Sequence, residues 1–270
     1  MNKTEQLREQ LKNYCSQDVC VAFSGGVDSS LLLVMACEAA EAAGTAVYAL
    51  TMDTVLHPKA DLEIAKEVIA KTGAVHQVLT LDELAVPEIR RNPTDRCYLC
   101  KKELYTRMLD FAASRQVSVL LEGSNEDDLH VYRPGLLAVR ELGVKSPLAD
   151  CGITKAEVRA LAEEYHIPVA DRPSAPCLAT RLPYGAEIDL KLLRRIDEAE
   201  TYIRSLGYRN VRLRVHDTIA RLEIDLPDFP RLLKDREKIS AYLKKLGFVY
   251  ITLDLEGFRS GSMDVALERV

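Results

Sequence analysis

The sequence predicts an α/β protein, a doubly wound parallel sheet followed by a small C-terminal α+β domain. Three observations lead there. As far as about Pro168, short β-branched runs alternate with longer helical ones, the pattern of parallel strands covered by helices. The first strand runs straight into a glycine turn and then a helix, at Ser24-Gly25-Gly26-Val27-Asp28-Ser29-Ser30. Past a stretch with four prolines between Ile167 and Gly185, the pattern changes to alternating strands around helices.

In order, strands are expected at Val19–Phe23, Ala46–Met52, Val75–Leu79 and Val117–Glu122, with helices at Ser29–Ala43, Ala60–Lys71, Tyr98–Ser114 and Lys155–Tyr165. Thr154 with Glu157 forms a capping box that starts the last of these. These elements fill a first domain, 1–168. A proline-rich loop, 169–187, is too broken for a helix and reads as a rigid connector bordering the active site. Residues 188–270 then give a small α+β domain for substrate binding or oligomerisation. It has helices at Ile188–Leu206 and Phe229–Leu246, and strands at Val211–His216, Ile219–Leu226 and Val249–Leu255.

The 270 residues, 47% hydrophobic, suffice for two cores. No stretch approaches the ~20 apolar residues of a membrane span, and the N-terminal segment lacks the apolar centre of a signal peptide, so a cytoplasmic protein is expected. A net charge of −5 with interspersed signs gives no basic stripe, which disfavours a nucleic-acid partner. Seven cysteines in a reducing compartment point to metal ligation or chemistry before disulfides. The five histidines, His57, His76, His130, His166 and His216, show no metal-ligand spacing.

In a doubly wound sheet, ligands collect at the carboxyl ends of the strands. The turn Ser24–Ser30 sits at such an end. Its glycines let the backbone approach an anion, unpaired N–H groups at the helix start point outward, and the serines add donors, which together make a phosphate cradle. Asp28 is placed to hold Mg²⁺, or else is an acid that suits the helix dipole. After the fourth strand, Gly123, Ser124, Asn125 and Asp127 read as nucleotide or Mg²⁺ contacts, or as an ordinary turn.

Cys97 and Cys100 form a CxxC at the start of a helix, where thiolates are favoured; two half-buried thiols are the plainer alternative. A structural zinc would want four ligands, and there is no second close pair. Cys177, exposed on the proline-rich loop, is the natural third member. Three cysteine ligands leave one iron of a [4Fe-4S] cluster open to a sulfide, which suggests sulfur chemistry. Cys20 and Cys37 lie on apolar faces and read as core fillers, whereas Cys15 and Cys151 carry no signal.

The Ser24–Ser30 string resembles the pyrophosphate loop of the PP-loop ATP pyrophosphatases, which cleave ATP between its α and β phosphates. Joined with Glu122-Gly123-Ser124-Asn125-Glu126-Asp127-Asp128 and the segment Pro176–Gly185, it is similar over the whole chain to the LarE family. These are ATP-dependent sulfur transferases that build the nickel-pincer nucleotide cofactor of lactate racemase. The resemblance implies ATP and Mg²⁺ as cofactors and a small-molecule nucleotide substrate, pyridinium-3,5-biscarboxylic acid mononucleotide. One carboxylate of that substrate is adenylated and then thiolated. It also implies a homo-oligomer; the sulfur donor stays open. In one branch of the family the loop cysteine matching Cys177 sacrifices its own sulfur. The presence of Cys97 and Cys100 matches the other branch, whose three cysteines hold a [4Fe-4S] cluster.

In the small domain, Arg212 and Arg214 alternate with Val211, Leu213 and Val215, and Glu223 shares the polar face of the next strand. From the pattern alone a solvated sheet face is the simpler reading. Paired arginines equally suit phosphate and carboxylate. The resemblance links them, with Glu200, to function, and Arg181 beside Cys177 is a further candidate. Two rivals remain: a tRNA thiolase with the same loop, and a non-catalytic ATP-binding module with a structural metal.

Overall fold

The computed structural model describes residues 2–57, 65–131, 133–169, 176–259 and 263. The chain divides into two units, Met1–Ile89 with Asp95–Ser174, and Arg90–Thr94 with Ala175–Val270.

The first unit is the parallel α/β fold the sequence predicts. Strands β1 (Val19–Ala22), β2 (Val47–Thr54), β3 (Val75–Leu81) and β4 (Leu120–Leu121) pair in the order β3-β2-β1-β4, all parallel. The chain winds outward from β1 to β3 and then returns to β1's other edge. The winding direction therefore switches between β1 and β4, the place where such sheets bind ligands.

Both faces are covered, as β1 shows. Val19 and Val21 join one core with Leu7 and Leu11 of α1 (Lys3–Tyr14), Leu31 and Leu32 of α2 (Val27–Ala43), and Val158 of α4 (Lys155–Glu164). Cys20 points the other way, into a core with Leu50, Tyr105 and Met108, the last two from α3 (Arg96–Ser114). This is why the strand reads as continuously apolar.

Element ends differ from expectation for local reasons. The α2 helix begins at Val27, two residues early, because Gly26 is already its extended N-cap; it ends at the left-handed Gly44, φ 71°. The β4 ladder is shorter than 117–122 because the Glu122 amide donates to the Lys145 carbonyl instead, at 2.8 Å. Helix α1 was not among the expected elements, although Asn2 and Glu5 form its capping box. Of the helix expected at 60–71, residues 65–69 are helical and 60–64 lie outside the described residues; so do 170–175 of the proline-rich loop.

In the second unit, β5 (Val211–His216) and β6 (Ile219–Ile224) form an antiparallel hairpin, and β7 (Tyr250–Leu253) pairs parallel to β6. Helices α5 (Leu190–Ser205) and α6 (Phe229–Lys245) complete it. The segment 90–94 joins this unit through backbone bonds from Gly185 N to Asn92 O and from Ile188 N to Arg90 O, both 2.8 Å. Among the described residues, no helix is long and apolar enough to cross a membrane.

Candidate functional site

In the first unit, β1 delivers the chain into the turn Ser24–Ser30. Gly25 has φ +73°, and a Cβ there would stand 3.1 Å from the Ala65 amide nitrogen, so conformation and space both require glycine. Gly26 caps α2 with no side-chain hydrogen bond, so no capping side chain takes up the first amides at that helix's positive end. Hydroxyls lace the turn: Ser24 Oγ lies 3.1 Å from Ser29 Oγ, and Ser29 Oγ donates to the Gly26 carbonyl at 3.1 Å. Ser30 is fully buried, and its amide makes the first helical bond to Gly26 O at 2.9 Å.

The loop after β4 lies directly against this turn. A Cβ on Gly123 would meet Ser29 N at 2.9 Å and Ser29 Cα at 3.1 Å. Asn125, 2% exposed, donates from Nδ2 to Asp28 Oδ1 at 3.0 Å while its own Oδ1 accepts the Asp127 amide at 3.0 Å. The other Asp28 oxygen is paired with Lys155 Nζ. Asp127 in turn accepts the Lys155 amide at 2.8 Å. Ser124 turns its hydroxyl inward to Glu122 Oε2, 2.8 Å away. The structure thus gathers the turn, Gly123, Asn125, Asp127 and Asp28 at the sheet's switch point.

Cys97 and Cys100 lie one turn apart near the start of α3, Cys97 half-buried and Cys100 buried. Arg96 donates from Nη2 to Cys97 Sγ at 3.4 Å. Burial pushes the thiols of Cys15 and Cys37 up to about 11 and that of Cys20 to about 12, which fits core fillers.

In the second unit, Cys177 caps the short turn Leu178–Arg181 and is half-buried. Arg181 grips Glu200 through Nε at 2.8 Å and Nη2 at 2.9 Å, and its Nη1 donates to Pro176 O and Thr180 Oγ1, both at 2.9 Å. Glu200 also accepts Arg204 at 2.6 Å and the Leu213 amide at 2.9 Å. Glu223 accepts Arg214 Nε at 2.6 Å, Arg221 at 3.1 Å and Arg212 at 3.2 Å. Arg214 reaches from there to the Thr180 carbonyl.

The solvated sheet face suggested by the residue pattern is therefore not what forms. Arg212 is 5% exposed, Arg214 4% and Glu223 0%. The turn after Cys177 lies against β5 and accepts a hydrogen bond from Arg214, while Arg212 lies over the Phe258 ring and donates to the Arg259 carbonyl at 2.9 Å. Burial and the neighbouring Arg214 charge push Arg212 down to about 10, against the pull of Glu223. Burial opposes the Arg181 charge too, yet the Glu200 hydrogen bond carries that group above its usual value. Arg181, Arg204, Arg212, Arg214 and Arg221 form ion pairs with Glu200, Glu223 and Asp254, so guanidinium groups of the kind that bind phosphate and carboxylate are gathered here.

Among the described residues, no group of three or more His, Cys, Asp or Glu side chains is gathered as metal ligands. Cys97 and Cys100 belong to the first unit and Cys177 to the second.

Comparison with known proteins agrees with this geometry. The PP-loop domain family matches residues 1–130, which include the Ser24–Ser30 turn and the Gly123–Asp127 loop. Over 253 residues the chain is 36% identical to the pyridinium-3,5-bisthiocarboxylic acid mononucleotide synthase of Lactiplantibacillus plantarum, spanning 94% of this chain and 91% of that one. The chain belongs to the LarE family, the ATP-dependent sulfur transferases. An uncharacterized protein of Synechocystis sp. is 37% identical over 251 residues, 92% of each chain. Another, from Methanocaldococcus jannaschii, is 30% identical over 254 residues, 94% of each.

In this LarE chain, three groups at the two sites were not foreseen from sequence. Arg204 had a signal, since it lies four residues after Glu200 on α5. Lys155 had one as well, because a cation at the first position of a helix opposes the dipole and asks for a partner. Arg221 had one too, since it stands two residues before Glu223 and so on the same strand face.

Proposed function

We propose that this LarE family member adenylates a carboxylate of pyridinium-3,5-biscarboxylic acid mononucleotide and converts it to a thiocarboxylate. The observation that carries this reading is the bonding of the Cys177 turn into the arginine cluster. Arg181 donates to Pro176, Thr180 and Glu200, and Arg214 to Thr180, so the loop that bears a sulfur and the groups that would hold the substrate's phosphate and carboxylates form one structure. The identity to the Lactiplantibacillus plantarum synthase supports the same substrate class.

A carboxylate oxide is a poor leaving group and AMP a good one. The substrate carboxylate attacks the α-phosphorus of ATP, the Pα–O bond to the β-phosphate breaks, and pyrophosphate departs with the electron pair. Sulfur then displaces AMP at the acyl carbon. The open amides at the start of α2 and the serine hydroxyls stabilise the charge that develops on the departing pyrophosphate. Asp28 fits Mg²⁺, since its carboxylate borders the glycine turn and one oxygen is held in place by Asn125.

The donor set Cys97, Cys100 and Cys177 suits iron. These residues would hold a [4Fe-4S] cluster, which through three thiolates keeps one iron available to carry a sulfide. We read the protein as a cytoplasmic homo-oligomer that does not act on nucleic acid.

The test is a mass-spectrometric assay of anaerobically prepared protein with ATP, Mg²⁺ and the pyridinium dicarboxylate nucleotide. A thiocarboxylate together with substrate-dependent AMP is expected. No AMP above the substrate-free control would overturn the reading. Brown protein containing iron and sulfide, bleached by substituting any of the three cysteines, supports the cluster; colourless protein that thiolates while Cys177 loses its sulfur places it in the sacrificial branch.

A further inference from the structure

We propose that the open side of the C-terminal sheet seats the substrate's pyridinium ring, which stacks on Tyr250 while Arg221 holds the nucleotide phosphate. The inference rests on the reading that this protein acts on the pyridinium dicarboxylate nucleotide, and goes beyond it by assigning the residues that recognise the ring.

Residues paired across a sheet share a face, as do alternate residues along a strand. The β5–β6 and β6–β7 registers therefore set His216, Ile219 and Tyr250 in one row, and Arg214, Arg221 and Thr252 in the next. Arg212 and Glu223 begin a third row, with Asp254 just past β7 at 3.4 Å from Arg221 Nε. The opposite face, with Val211, Leu213, Val215, Ala220, Leu222 and Ile224, is buried.

The polar face is not uniform. Arg212 and Arg214 are out of water, whereas the Arg221 side chain is 33% exposed, Ile219 42% and Tyr250 61%. Ile219 and Tyr250, paired and open, form an apolar ledge beside guanidinium groups. His216 ends that row. Its Nε2 is out of water with no hydrogen-bond partner among the described residues. Burial, and then the charges of Arg221 and Arg214, lower its pKa and keep the imidazole neutral at neutral pH.

A pyridinium nucleotide fits this surface group by group. Its flat cationic ring is attracted to the π face of Tyr250, covers Ile219 and meets no charge on His216. Rows lie about 7 Å apart and neighbouring strands about 4.8 Å, so a ring on the ledge brings its ribose phosphate to Arg221. A ring carboxylate then satisfies His216 Nε2. No bond forms or breaks here; the ledge supplies recognition.

The experiment uses full-length wild type and variants, with pyridinium-3,5-biscarboxylic acid mononucleotide as the probe. The chain contains no tryptophan, so Tyr250→Trp carries a single indole, whose emission a stacked pyridinium ring quenches. Saturating nucleotide is expected to quench it and ATP alone to leave it unchanged. By calorimetry, Tyr250→Leu should bind the nucleotide about tenfold more weakly, with Tyr250→Phe close to wild type. Arg221→Gln should weaken the nucleotide but not its phosphate-free nucleoside, and equal loss of both overturns the phosphate assignment. Unquenched emission, or wild-type affinity in Tyr250→Leu, overturns the proposal and leaves the adenylation reading standing. A sedimentation change in Tyr250→Leu with unaltered nucleotide affinity makes this face a contact between copies of the chain and overturns it equally. Wild type that neither binds the nucleotide nor releases AMP with it overturns the adenylation reading and this proposal together.

Discussion

Arg181 and Glu200 face each other with two parallel hydrogen bonds, 2.8 and 2.9 Å, both side chains almost wholly out of water. The pair ties the turn after Cys177 to helix α5, so the position of the loop sulfur depends on a guanidinium fork. Lysine cannot form that fork. Arg181→Lys should cost about 2–4 kcal/mol of stability, from broken buried bonds to a charged group. It should also raise KM for the pyridinium nucleotide while leaving KM for ATP, whose proposed site is in the other unit, unchanged. Thermal unfolding and the two KM values check this, and equal shifts in both KM values would count against it.

The cysteines should separate by reactivity. At pH 8 a thiol held at about 11 is roughly one part in a thousand thiolate, and one at about 12 roughly one in ten thousand. Alkylation of the native, metal-free protein should therefore mark the half-buried Cys97 and Cys177 first and spare Cys15, Cys20 and Cys37. Peptide mass spectrometry reads the order. Denaturant should abolish it.

How much of this could be read in the chain follows from how far apart the interacting residues lie. The β1 strand, the glycine turn and α2 are contiguous, and local rules of strand, turn and helix start sufficed to place them and Asp28 at the carboxyl end of β1. The partner of Asp28 is another matter, because Lys155 is 127 residues away and only the packing of α4 against α2 brings it there. Arg212 and Arg214 fall between these cases. Their alternation with valines and leucine correctly gave a strand, and the register opposite Glu223 follows from the hairpin. What covers that face is a turn some thirty residues earlier, and no period-2 pattern distinguishes a solvated face from one buried under a loop. The insertion of 90–94 beside 183–188 is likewise a long-range backbone pairing, with no signature in composition.

Glu83 should make stability depend on pH in a direction opposite to that of a surface carboxylate. It is fully buried, accepting the Val55 amide at 3.2 Å, and burial raises its pKa above the ordinary 4.5. A carboxyl whose folded value is raised binds its proton more tightly in the native state. Its contribution is thus greatest below the unfolded value near 4.5 and declines as pH climbs through the folded one. Glu83→Gln keeps an acceptor for Val55 and carries no charge. It should match or exceed the wild type in Tm at pH 8, and lose that advantage as pH falls toward 4.5. A Tm difference that is flat across this range would show that Glu83 does not titrate differently on folding.

Gly123→Ala should damage ATP binding more than its size suggests, and Gly135→Ala shows why. By distance alone Gly135 is the worse site, since a Cβ there would come within 2.6 Å of an atom, against 2.9 Å at Gly123. The atom at Gly135 is Cδ of Lys101, however, the middle of a flexible side chain that can swing aside. At Gly123 it is the Ser29 backbone nitrogen, with Ser29 Cα and the Asp28 carbonyl carbon close behind. Nothing there can yield except the first turn of α2 itself, and that turn forms the proposed phosphate cradle. Overpacking against backbone costs about 1–3 kcal/mol, and here the displacement falls on the amides that would meet pyrophosphate. Gly123→Ala should therefore lower Tm and weaken ATP at least tenfold by calorimetry, about 1.4 kcal/mol. Gly135→Ala should leave ATP affinity unchanged. If the two variants bind ATP alike, the close approach of the β4 loop to α2 is not what shapes the cradle.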